Sequence, residues 1–192
     1  MLKFNKIRIR IGFPFCVTAL IMISGELRES YICALSLAVL HETGHLIAMI
    51  YNNIYPDSIT FTPTGIRINC PSGMISPRAE CIISASGPAV NLLLMPILYF
   101  CLYDLPFYIN AGLLVINLLP LRSLDAGRFI NNLIIIRKDE LHAEKIMNIT
   151  ETAVCICLVL LLICLLINRI VNSSFIALTV MLVVTTVVQL VK

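Results

Sequence analysis

His41-Glu42-Thr43-Gly44-His45 places two of the chain's three histidines four residues apart with a glutamate between them. On a helix that spacing puts both imidazoles on one face, one turn apart, where they can share a single zinc ion. The glutamate then lies close enough to take a proton from a water that the metal activates. A structural zinc site is closed by four protein ligands, whereas a catalytic one uses three and leaves a position open. The best third candidate is Asp125, within Asn117-Leu-Leu-Pro120-Leu-Arg-Ser-Leu124-Asp125-Ala-Gly127. Asp104 is another acid near an apolar segment, and His142 stands in a charged stretch, Lys138 to Lys145, that reads as solvated.

The setting of the motif is unusual. Residues 31–40 before it and 46–51 after it are almost wholly apolar. Ionisable groups at membrane depth are costly, so they mark function. The whole chain agrees: of 192 residues 59% are hydrophobic and only 13% charged, where a soluble domain carries about a quarter charged. The composition therefore predicts an all-α polytopic membrane protein forming one domain over 1–192. Its catalytic core is expected over about 31–136, with two further spans in 149–192.

Six spans are expected, at about 11–24, 31–51, 79–103, 106–121, 149–168 and 172–191, the first and fourth short. The basic stretch before Ile11 resembles the start of a signal peptide, but no small-x-small cleavage site follows, so the first span is expected to be retained. Between the second and third spans, Ser58–Thr62 and 66–70 alternate apolar and polar residues around Pro63-Thr64-Gly65, predicting a short membrane-associated β-hairpin. Backbone edges of that kind are not tolerated in hydrocarbon, so the hairpin belongs at the interface or against protein. The eight cysteines contain no CxxC pair and mostly fall in apolar runs, where they read as small hydrophobes rather than a disulfide framework.

Charge then sets orientation. With the N-terminus inside, Lys3, Lys6, Arg8, Arg10, Arg67, Arg78, Arg122, Arg128, Arg137, Lys138, Lys145 and Lys192 fall on the inner side, and only Arg28 and Arg169 fall outside. This bias predicts cytoplasmic termini, hairpin and 122–148 segment. It puts His41 in the inner half of the bilayer and brings residue 125 to a compatible depth.

His41-Glu42-xx-His45, Asn117-xx-Pro120-xxx-Leu124-Asp125-x-Gly127 and Ser86-Gly87-Pro88-Ala-Val-Asn91 together resemble the site-2 protease family of intramembrane zinc metalloproteases, in particular its compact, sporulation-type branch. The resemblance runs over about residues 12–136. It implies one zinc ion per chain on His41, His45 and Asp125, with Glu42 as general base and Asn117 helping to stabilise the oxyanion. It also implies a single-span or membrane-anchored protein as substrate, in a lipid bilayer such as a bacterial plasma membrane. It leaves room for a regulatory membrane partner and gives no role to nucleic acid. Members commonly read Asp-Gly-Gly where this chain reads Asp125-Ala126-Gly127, which questions the backbone conformation beside the ligand, because alanine does not readily take positive φ. Ser84, Ser86, Asn91, Asn110 and Asn117 are expected to line a polar path for water. The hairpin offers an edge strand on which an extended substrate can pair. The rival reading is a multi-span transporter of divalent metal or protons. Two features argue against it: no inverted repeat is apparent, and acidic residues are missing from most spans.

Overall fold

The computed structural model describes residues 8–26, 28–62, 65–70, 75–168 and 173–190. Lys3, Lys6, Pro63, Thr64, Arg169 and Lys192, and the side chain of Arg67, lie outside the described residues. Two compact units divide the chain, residues 1–117 and 118–192.

The first unit begins with strand β1 (Arg8–Ile11), followed by helices α1 (Phe13–Ser24) and α2 (Arg28–Tyr51). Strands β2 (Ser58–Thr62) and β3 (Gly65–Asn69) come next, and helices α3 (Pro77–Phe100) and α4 (Asp104–Asn117) complete it. The hairpin is as expected: β2 and β3 pair antiparallel from Ser58↔Asn69 to Thr62↔Gly65. It is not alone. β1 adds to the other side of β2, in parallel, from Arg8↔Ser58 to Ile11↔Phe61. The first expected span, about 11–24, corresponds to α1, while the basic stretch before it, Arg8-Ile-Arg-Ile11, is a strand, and its alternation of charge and apolar residue suits a sheet lying at an interface.

The sheet is tied to the helices at both ends. Phe15 of α1 stacks on Phe61 with ring centroids 5.5 Å apart, and the amide of Gly12 donates to Phe61 O at 3.3 Å. On the other side Ile68 and Cys70 pack against a small core of Ala48, Met49 and Ile83, where α2 ends and α3 begins.

The helices follow composition. α2 and α3 each hold 24 residues and are apolar enough to cross a membrane. α1 and α4, with 12 and 14 residues, rise only about 18 and 21 Å, short of a hydrocarbon core of about 30 Å. Ser76 caps α3, accepting from the Ala79 amide, with Pro77 at a position where a missing N–H costs nothing.

The second unit holds helices α5 (Asp125–Arg137), α6 (Glu140–Ile167) and α7 (Ser173–Leu190). Residues 125–137, expected only as part of a cytoplasmic segment, are helical. α6 starts at Glu140 rather than near 149, capped by Asp139. Its early turns bury Ala143, Met147 and Glu151, a single stripe at i, i+4, i+8. The rest of α6 is apolar and exposed, as lipid-facing surface should be. The architecture is an all-α polytopic membrane protein carrying one small three-stranded sheet.

Candidate metal centre

His41, Glu42 and His45 lie near the middle of α2. Both histidines are buried, 6% and 5% exposed, in a largely apolar helix. Their Nε2 atoms approach to 3.1 Å, and the rings meet edge to face. Two nitrogens on a tetrahedral zinc at about 2.0–2.1 Å would stand about 3.3 Å apart. The ligand atoms of His41, Glu42 and His45 all fall within 4.8 Å of one another.

The neighbouring helix completes this arrangement. His45 Nδ1 lies 2.7 Å from the carbonyl oxygen of Ile83 on α3. A carbonyl only accepts, so Nδ1 carries the proton and Nε2 presents a lone pair toward His41. This is the way metal-binding imidazoles are commonly held. Ser86 Oγ donates to the same carbonyl at 2.5 Å.

Glycines make the approach possible. A Cβ on Gly44 would lie 2.7 Å from Ser86 O and 2.8 Å from Val90 Cγ2. A Cβ on Gly87 would lie 2.4 Å from His45 Nε2 and 2.6 Å from His41 Nε2. The absent side chain of Gly87 therefore leaves a space near-equidistant from both nitrogens, at close to a metal–nitrogen distance. The donor set and that cradle fit zinc.

Other residues singled out in the sequence fall as follows. Ser84, Asn91 and Asn110 are fully buried, with Asn110 Nδ2 donating to Asn91 O at 2.8 Å. Asn117 closes α4 and donates Nδ2 to Leu113 O at 3.1 Å. Asp104 opens α4, and His142 is exposed beside Asp139.

In the second unit Asp125 is the first residue of α5 and is 6% exposed, with Arg128 Nη1 3.9 Å from its Oδ1. Ala126 is an ordinary helical residue. The described non-glycine residues with positive φ are Asn53 and Leu102, so alanine in place of glycine at 126 imposes no strain. The indispensable glycine is the next one: a Cβ on Gly127 would fall 2.0 Å from Leu121 O. Sequence reasoning missed Gly44 as a packing residue, the close approach of Gly87 to the histidines, the Ile83 carbonyl, and Glu151. The signal available was glycine inside helices, which costs about 1 kcal/mol unless packing requires it.

Fold and site together define a polytopic membrane protein with a buried His-Glu-His cluster suited to a metal. Among solved structures, the Site-2 Protease from Methanocaldococcus jannaschii shares this fold with a TM-score of 0.67, covering 95% of this chain and 90% of that one at 19% sequence identity. No protein-family model matches the sequence, and no curated protein matches it either.

Proposed function

We propose that this chain is an intramembrane zinc metalloprotease that hydrolyses a peptide bond in or near a transmembrane segment of a membrane-anchored protein. The observation that carries the reading is the pair of His Nε2 atoms facing each other over the bare backbone of Gly87, with Glu42 within reach. The fold it shares with a protein named a protease supports hydrolysis over transport.

Zinc held there supplies Lewis acidity, lowering the pKa of water to about 7 and polarising a carbonyl. His41 and His45 bind through Nε2, and Asp125 is the proposed third ligand. Glu42 takes the proton of the attacking water and passes it to the leaving amide nitrogen. Asn117 spends one N–H on Leu113 O, which fixes its amide and leaves the second N–H to donate to the developing oxyanion. The buried amide of Asn91, whose side-chain atoms make no hydrogen bond among the described residues, is the kind of group that ordered water satisfies, which supports a wet path along α3.

A substrate helix has its carbonyls already hydrogen-bonded and must unwind before attack. Because β2 is enclosed by β1 and β3, the sheet's own outer edges, β1 and β3, are the strands on which an unwound segment can pair. The positive-inside bias supports placing that sheet, both termini and the opening of the site on the cytoplasmic side.

The test is co-expression of single-span candidates with wild-type chain and with Glu42→Gln, followed by N-terminal sequencing of any product. Wild type should yield a product cut at membrane depth. The variant should keep zinc and lose about 10²–10⁴-fold in rate. Unchanged cleavage by the variant removes Glu42 from the reaction.

A further inference from the structure

We infer that Glu151 is a positioning residue for the metal site: it clamps Arg122 and so holds the loop that delivers Asp125. This rests on the proposal that Asp125 is a zinc ligand, and it concerns a carboxylate with no part in the chemistry itself.

Glu151 is completely buried in α6, just before the uninterrupted apolar run that ends the helix. A buried carboxylate persists only when paired and hydrogen-bonded. Here one residue supplies nearly everything. The backbone amide of Arg122 donates to Oε1 at 2.6 Å, while Nε and Nη2 of the same arginine donate to Oε2 at 3.0 and 2.7 Å. Nη2 also donates to Asn148 Oδ1, one turn back on α6. A carboxylate that grips both backbone and side chain of one residue fixes the chain there, not just a charge.

What it fixes is short and stiff. Leu121, before Arg122, is fully buried. The Leu124 amide donates to Leu121 O at 2.8 Å, and Gly127 lies so close to that carbonyl that no Cβ fits. Arg122 is three residues before Asp125, with a closed turn between them. Releasing Arg122 therefore releases the start of α5.

The experiment uses full-length chain in detergent. Zinc affinity is measured by chelator competition, and coordination by the visible spectrum of the cobalt-substituted protein. Variants are Glu151→Gln, Asp125→Asn and the double variant Arg122→Gln/Glu151→Gln, which leaves no orphaned charge and so protects folding. Helicity is checked by circular dichroism. The expectation is a 10–100-fold loss of zinc affinity in both Glu151 variants, with a cobalt spectrum shifted toward that of Asp125→Asn. A folded double variant with wild-type affinity and spectrum overturns the inference.

Wild type offers a reading that no variant's folding can spoil. By linkage, a clamp that supports the ligand must itself be stabilised when zinc binds. The Arg122 amide should exchange hydrogen more slowly with zinc present, and unchanged exchange overturns the inference. If instead Asp125→Asn binds zinc as wild type does, the ligand assignment fails, and a weakened Glu151 variant cannot rescue it.

Discussion

Gly87→Ala is the sharpest probe of the candidate metal centre, because the structure says where the added methyl goes. It would lie 2.4 Å from His45 Nε2 and 2.6 Å from His41 Nε2, where ordinary van der Waals contact starts at 3.4 Å. The shortfall is thus about 1.0 and 0.8 Å. Zinc–nitrogen bonds are about 2.0–2.1 Å with little tolerance, so rings that withdraw this far no longer coordinate. The methyl and the ion also compete for one space. Overpacking of this sort costs about 1–3 kcal/mol of stability, which helicity should survive. Zinc affinity should fall by about 100-fold or more, beyond the usual effect of altering a ligand's support. Gly112→Ala is the matched control: nothing lies within 4 Å of its added Cβ. Zinc content of purified protein and chelator competition are the assays. A Gly87→Ala protein holding one zinc with wild-type affinity would refute the claim that Gly87 vacates the metal's place.

His41→Ala and Asp125→Ala should each lower zinc per purified chain; full stoichiometry in the aspartate variant would hand the third position to another residue. Asn117→Ala should leave zinc unchanged and slow cleavage by about 10²–10³-fold, if its amide serves the oxyanion; a change in KM alone would make it a binding residue. Asp139 accepts from the His142 backbone amide and from its ring, and these hydrogen bonds hold its carboxyl below the ordinary carboxylate range. A depressed pKa stabilises the folded helix end above the ordinary value of about 3.9 and ceases to do so as pH falls through the depressed one. The His142 amide of α6 should therefore lose exchange protection only as pH falls below the ordinary carboxylate range, an onset that Asp139→Ala abolishes; identical profiles would show that the cap carries no such coupling.

The helices at the expected apolar stretches and the hairpin were legible because apolar length and period-two alternation are properties of short stretches, although of the described helices only α2, α3 and α6 are long and apolar enough to cross a membrane. The His-Glu-His cluster was legible for the same reason, since i, i+4 spacing on one helix needs no tertiary information. What escaped was non-local. Arg8-Ile-Arg-Ile11 carries a strand's alternation, but its charges suggested the flank of a span, and only the distant β2 makes it a strand. Gly87 and Ile83 act on the histidines from another helix. Glu151 sits 29 residues from the arginine it binds. Ala126 runs the other way: the sequence raised a conflict that helical geometry dissolves, and the true steric demand falls on Gly127.

The parallel pairing of β1 with β2 has a consequence for how this protein is made. β1 is synthesised early, but its partner begins at Ser58, after α1 and α2 have emerged. Two strands can share a sheet only if they finish on one face of the bilayer. Closure of the sheet is thus a check on the number of crossings: a chain in which only one of its first two helices crossed the bilayer would leave β1 and β2 on opposite faces, unable to meet. The same closure brings Ile68 against the end of the histidine helix. Correct threading of the chain is thereby registered beside the helix that carries His41 and His45.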